Sequence, residues 1–245
     1  MRSLFLTSSP FGPLDNSYEV EGLDPKNGFP DLVHERWKED ARVLIISAFP
    51  ADIPANMEMR SFMEQALEIS DLSLSAVDIW DDRTQEYSRE ALCSYDVIFL
   101  GGGHVPTENA YFQRIGLKDM IRDFDGIIIG ISAGTMNAAE TVYAQPEEEG
   151  EALDPDYERF IPGLGLTDIN ILPHLQMIAD MELDGMKIID EISLGDSFGH
   201  DFLAIPDGSF VLAEDGLSVL YGEGWQIKDG QMTQICSEGD SVLLF

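Results

Sequence analysis

Ser132 lies in Gly130-Ile-Ser132-Ala-Gly134, after the branched apolar run Ile127-Ile-Ile129 and before a stretch of small and helix-favouring residues. A buried strand, a tight Gly-x-Ser-x-Gly turn and a helix, in that order, present one hydroxyl on a sharp bend; this is the sequence form of a nucleophile elbow. The flanking glycines suit a turn in which side chains would strike neighbouring strands. The helix start behind Ser132 offers free N–H groups and a partial positive charge, so the N–H of Ala133 is a candidate donor to an oxyanion. The chemistry expected is nucleophilic attack on a carbonyl. The bland alternative is a surface serine on an ordinary strand-to-helix turn; the strand, turn and helix occurring together favour the nucleophile.

Such a serine needs a base, and the chain has four histidines. His34 reads as a surface residue and His200, in Ser197-Phe-Gly-His200-Asp201, as a turn residue. His174 follows Pro173 at the end of a strand-like run, where a rigid strand end would hold an imidazole in place. In isolation it would read as a packed histidine; Ser132 raises its value, because the elbow requires a partner from elsewhere in the fold. Gly101-Gly102-Gly103 closes another strand-like run. No Gly-Lys-Ser/Thr and no G-x-G-x-x-G accompanies it, so it is not a phosphate loop, and its better role is a second oxyanion N–H from Gly103.

The elements that must position these residues alternate. Strands are expected at residues 3–9, 41–49, 72–80 and 96–100, with helices over 52–69, 84–94 and 107–124, ahead of the elbow strand. Residues 10–40 read as a long loop. This alternation predicts an α/β fold with a mostly parallel sheet covered by helices on both faces. Ligands of such sheets bind beyond the carboxyl ends of the strands, where both the triple glycine and Ser132 fall. Further on, a strand is expected over 166–172 and a helix over 177–192. From Asp201 onward, short strands separated by Asp-Gly turns read as antiparallel additions to the same sheet.

No linker-like stretch divides the 245 residues, so a single domain over 1–245 is expected. No apolar run approaches the roughly 20 residues that span a bilayer. Cys93 and Cys236 form no ligand-spaced set, which points to neither a disulfide framework nor a cysteine-based metal site, and a cytoplasmic enzyme is expected. Fourteen basic against forty-six acidic residues give a formal charge of -32. That field repels nucleic acid and anionic lipid, and neither is expected as a partner.

In chain order, Phe99-Leu-Gly-Gly-Gly103, Gly130-Ile-Ser132-Ala-Gly134, Leu172-Pro-His174 and Ala204-Ile-Pro-Asp-Gly208 resemble the peptidase E family of serine peptidases, which includes aspartyl dipeptidases and, more distantly, cyanophycinases. The resemblance implies a fold like that of class I glutamine amidotransferases, with serine in place of their cysteine. It also implies Ser132 as nucleophile, His174 as general base, hydrolysis through an acyl-enzyme, and no metal or organic cofactor. Counting from the elbow, the family's orienting acid falls near Glu147, within Glu147-Glu148-Glu149; Asp207, in the Pro-acid-Gly turn, is a second candidate. Either could also be structural, Glu147 in a solvated loop and Asp207 in a turn.

Two departures from the family bear on substrate. His104 stands where the family usually has asparagine after the glycines, placing it among the candidate substrate-binding residues. Met181-Glu-Leu-Asp184-Gly-Met-Lys187 replaces the arginine-bearing helix of the aspartyl dipeptidases, and Lys187 lacks arginine's bidentate fork. The expectation is a serine peptidase, monomeric or homodimeric, acting on a small peptide such as a dipeptide. The alternatives are a cyanophycinase-like amide hydrolase and a catalytically silent relative that binds a small ligand.

Overall fold

The computed structural model describes residues 2–11 and 20–244. In chain order its first half holds β1 (Ser3–Thr7), α1 (Phe29–His34), β2 (Ala41–Ile46), α2 (Ile53–Ile69), β3 (Leu74–Trp80), α3 (Arg89–Leu92), β4 (Val97–Leu100), α4 (Val105–Ile115), α5 (Leu117–Ile121), β5 (Ile127–Ile131) and α6 (Ala133–Asn137). The predicted alternation is present, with shorter elements than expected. Part of the loop expected over 10–40 lies outside the described residues, and its described portion contains α1. The start of α2 follows from local chemistry: the Asp52 carboxylate accepts the Ala55 N–H at 3.2 Å, and Pro54 sits in the first turn, where a missing N–H costs nothing.

The second half holds β6 (Thr141–Tyr143), β7 (Phe160–Pro162), β8 (Asn170–Leu172), α7 (Leu175–Ile178), β9 (Glu182–Leu183), β10 (Met186–Lys187), α8 (Leu194–Asp196), β11 (Asp201–Ala204), β12 (Phe210–Glu214), β13 (Leu217–Tyr221), β14 (Gly224–Lys228), β15 (Gln231–Cys236) and β16 (Ser241–Leu244). Eight strands form the main sheet in the order β16-β13-β12-β1-β5-β4-β2-β3. The five from β1 to β3 in that order run parallel, and β12, β13 and β16 extend the β1 edge antiparallel.

Both faces of the parallel part are buried. Leu4, Leu6, Leu44, Ile46, Ile98 and Leu100 enter one apolar cluster, while the alternating Phe5, Val43, Ile45, Val97 and Phe99 enter the cluster on the opposite face. Strands buried on both sides read as continuous apolar runs, as these do. No described helix is long and apolar enough to cross a membrane.

Two expectations are corrected. The C-terminal strands do not all extend the main sheet: β11, β14 and β15 join β8 in a second sheet, ordered β15-β14-β11-β8. The helix expected over 177–192 is broken. The short α7 gives way to the β9–β10 hairpin, whose Asp184 and Gly185 have φ of 54° and 82°, and a π-helical turn over Ile188–Ser193 follows. An Asp-Gly pair with both φ positive suits the type I′ hairpin turn, and that turn preference overrides the helical spacing around it.

A buried polar network ties α4 to α6. Glu108 is wholly buried, and its Oε2 accepts the Asn137 Nδ2–H at 2.9 Å while Oε1 has no partner. Asn109 donates to Asn137 Oδ1 at 2.9 Å and to the Pro162 carbonyl at 3.0 Å. Burial raises the Glu108 carboxyl well above its ordinary value, outweighing the Asn137 hydrogen bond, with the nearby Glu147 adding to the rise. The folded protein therefore keeps this proton at pH values where the unfolded chain loses it, and Glu108 favours unfolding increasingly as pH rises above about 4.5. Glu108→Gln removes the titration. The variant should gain on the wild type by about 1.4 kcal/mol per pH unit above the unfolded carboxyl's pKa, up to the folded one. Denaturant unfolding of both proteins from pH 5 to pH 8 checks this; a constant difference across that range would refute it.

Candidate active site

The strand-to-helix turn at Ser132 is built by close approach. Gly134 donates its N–H to the Gly101 carbonyl at 2.9 Å, and a Cβ at Gly134 would stand 2.4 Å from the Leu100 oxygen. A Cβ at Gly130 would stand 2.6 Å from Thr135 Oγ1. Any side chain at either position would push the turn off β4 or off its own helix. Thr135 fastens the turn to β1, its hydroxyl donating to the Thr7 carbonyl at 2.8 Å and accepting the Thr7 N–H at 3.0 Å. Between the glycines, Ser132 has φ 50° and ψ −111°, a strained backbone for a residue with a side chain. Its N–H is shared between the Thr7 and Ser8 carbonyls at 3.2 and 3.1 Å, and its side chain is part-exposed.

His174 leaves β8 in the left-handed region, with φ 58° and ψ 36°. Asp207 lies in the turn after β11, the strand paired in parallel with β8, and this pairing brings the two together. Asp207 Oδ1 accepts from His174 Nδ1 at 2.7 Å, and Oδ2 accepts the Gln176 Nε2–H at 2.7 Å. Ser8, at the end of β1, donates its hydroxyl to Asp207 Oδ1 at 2.6 Å and accepts the His174 backbone N–H at 2.7 Å. Burial of Asp207 opposes ionisation, but the hydrogen bonds from His174, Ser8 and Gln176 outweigh it and hold the carboxyl below its ordinary value. A carboxylate fixed on Nδ1–H leaves Nε2 as the free, basic ring nitrogen.

Glu147 stands elsewhere at the same rim, and no described contact joins its carboxyl to the His174 ring; of the two candidate acids, Asp207 is the one hydrogen-bonded to His174. The Glu147 carboxyl is pushed up to about 7, chiefly by burial and further by Glu151, against the opposing effects of His104, the Val105 N–H and His174. The residue as a whole is exposed to solvent.

His104, the residue before α4, is held by Thr107 Oγ1 at 2.8 Å on Nδ1 and by Glu151 Oε1 at 2.9 Å on Nε2. Glu151 Oε2 accepts the N–H groups of Glu147 and Glu148 at 2.9 and 3.0 Å, which pins the acidic loop against His104. Ligand atoms of His104, Glu148 and Glu151 lie within 4.8 Å of one another, close enough for a cation, although Glu151 already uses both oxygens in structural hydrogen bonds.

Gly103 and Ala133 flank the elbow. A Cβ on Gly102 would stand 3.4 Å from the Ser132 Cβ, so the glycine loop lies directly against the serine. Among the described residues, neither the Gly103 nor the Ala133 N–H donates a hydrogen bond within the protein. A cleft of about 400 Å³ adjoins this loop, lined by Phe49, Asp52, Thr107 and Tyr111 among others, with Arg114 paired to Asp82 at its edge. His34 and His200 lie on the surface, His34 on the Ser70 carbonyl and His200 stacked on Phe160. Ser8 and Gln176 carry no motif. The one signal for Ser8 is its place at the end of an apolar strand.

An open, mostly parallel sheet with a serine on a strand-to-helix turn and a histidine–carboxylate pair at its carboxyl rim is a layout that serine-dependent hydrolases use. The family model for peptidase family S51 matches residues 54–219, more than half of the chain. The chain belongs to peptidase family S51 and is a serine peptidase of the peptidase E group. Among solved structures, its fold is similar to that of a peptidase from an acI-B1 Actinobacterium, at 16% identity and a TM-score of 0.62, covering 99% of this chain and 96% of that one. It is also similar to a putative peptidase E protein from Listeria monocytogenes EGD-e, at 18% identity and a TM-score of 0.52, covering 96% and 98% respectively. No curated protein matches the chain.

Proposed function

We propose that this peptidase hydrolyses short peptides, dipeptides among them, through an acyl-enzyme on Ser132. His174 Nε2 takes the Ser132 proton as Oγ attacks the scissile carbonyl, and Asp207 holds the ring and stabilises its cation. The Ala133 and Gly103 N–H groups receive the oxyanion. His174 then protonates the leaving amine, the C–N bond breaks, and a water activated by the same imidazole releases the acyl group.

The observation that carries this reading is the double tether at Ser8. Its carbonyl accepts the Ser132 N–H and its hydroxyl accepts the His174 N–H, so nucleophile and base are fixed to one residue. The cleft beside the glycine loop offers room for a substrate side chain.

Labelling with a neutral alkyl fluorophosphonate, located by peptide mass spectrometry, tests the assignment. Ser132 is expected to be labelled, and His174→Ala to abolish labelling while His104→Ala retains it. Labelling of a different serine, or undiminished labelling of His174→Ala, would overturn it.

A further inference from the structure

Asp207 is held at more points than its bond to His174 requires. Its side chain is only 6% exposed, and Gln176, on α7, lies against it from the solvent side. The Gln176 amide meets Asp207 twice. Its Nε2–H donates to Oδ2 at 2.7 Å, and its Oε1 accepts the Asp207 backbone N–H at 3.1 Å. One planar amide thus grips both the carboxylate and the main chain of a single residue.

The second bond follows from where the β8–β11 ladder ends. Ile205 donates its N–H to the Leu172 carbonyl at 2.9 Å, and its own carbonyl accepts the Leu175 N–H at 3.1 Å. By the two-residue period of an extended chain, Asp207 is the next residue after Ile205 to turn its N–H toward that neighbour. By then the neighbour has become helix, and the His174 carbonyl accepts the Met177 and Ile178 N–H groups at 2.7 and 3.1 Å. The Gln176 side chain supplies the acceptor that the ladder no longer has.

From this geometry we infer that Gln176 is a positioning residue for catalysis: its amide carries the β8–β11 pairing one step further and so holds Asp207 in the orientation that serves His174. The inference rests on the serine-peptidase reading and adds to it a residue that acts through the acid. Oδ1 takes both His174 Nδ1 and the Ser8 hydroxyl, which leaves Oδ2 for Gln176. A rotation about the Cβ–Cγ bond that carried Oδ1 away from the imidazole would have to break the Oδ2 bond as well. Because Gln176 is two residues from His174, the same short segment delivers the base and steadies the acid.

Turnover of a dipeptide and fluorophosphonate labelling of Ser132 test this. Gln176→Met keeps the length of the side chain and removes both bonds. Its kcat is expected to fall about tenfold, with KM within about twofold of wild type. In Gln176→Glu the new carboxylate faces Asp207, whose charged partner is His174; Asp24 and Lys26 reach the same turn at Gly208. Two carboxylates in contact hold a proton to higher pH, so the introduced group regains a donor as pH falls. Its labelling rate relative to wild type is expected to rise about tenfold from pH 8 to pH 5, while the ratio for Gln176→Met stays flat. Gln176→Met combined with Asp207→Asn should label within about twofold of Asp207→Asn alone, because the amide acts through the acid. A Gln176→Met kcat within about twofold of wild type, a loss confined to KM, a flat ratio for Gln176→Glu, or losses that multiply in the double variant would each overturn the inference while leaving Ser132 as nucleophile. Absence of labelling at wild-type Ser132 would overturn the serine-peptidase reading itself, and this inference with it.

Discussion

Ser132→Ala should lower peptide hydrolysis by about four orders of magnitude or more and eliminate fluorophosphonate labelling, with the fold intact. The rate effect follows from removing the atom proposed to carry the acyl group. The intact fold follows from the backbone: alanine keeps the Cβ and inherits the same strain at φ 50° and ψ −111°, and the part-exposed hydroxyl is no internal anchor. Ser132→Gly separates the two effects. It should be equally inactive but more stable than the alanine variant by about 1–2 kcal/mol, because glycine tolerates that backbone. Hydrolysis and thermal unfolding of the three proteins check both statements. Activity in Ser132→Ala within tenfold of wild type would remove Ser132 from the mechanism.

The second large effect is expected at Asp207. Asp207→Asn keeps the size but offers an N–H where an acceptor is needed, so His174 turns its proton to the wrong nitrogen or loses its orientation. A fall in kcat of roughly a thousandfold to ten-thousandfold is expected, with KM little changed. Stability should respond with a defined sign. The folded carboxyl lies below its ordinary 3.8, so its contribution is present above that value and lost as pH falls through the folded pKa. The asparagine variant should therefore be less stable than wild type at pH 6, and the gap should narrow toward pH 2. Ser8→Ala removes one of the hydrogen bonds to Asp207 and the tether of the His174 N–H, and a smaller loss of about tenfold is expected. An Asp207→Asn enzyme of nearly normal kcat would return Glu147 to consideration as the orienting acid.

The turn that carries Ser132 and the strand end that carries His174 were legible because each has a local signature: apolar strand, small-residue turn and helix for the one, and a proline after a strand-like run for the other. Which acid meets His174 was not, because Asp207 and Glu147 both follow strands and the parallel pairing of β8 with β11 is what brings Asp207 to the ring. That pairing is a long-range fact. Ser8 was invisible for the same reason, since its value comes from three partners more than 120 residues away. The parallel half of the sheet was legible from its apolar runs, whereas the tail was not. Short strands bounded by Asp-Gly turns do not say which sheet they join, and such turns link β12 to β13 and β14 to β15 alike. The missed hairpin at Asp184-Gly185 had a readable signal, outweighed in the sequence reading by the apolar spacing of its flanks.

The position of β1 has a consequence for how the molecule matures. β1, the earliest of the described strands in chain order, lies in the middle of the finished sheet, with β5 on one side and on the other β12, whose Phe210 pairs with Thr7 across some 200 positions. Ser8 projects from the end of that strand. A ribosome-bound chain made only as far as residue 205 has no partner for one whole edge of β1, and closing so long a loop is slow. Proteolytic competence should thus appear late and all at once, which would spare the nascent chain and its neighbours from a half-built hydrolase.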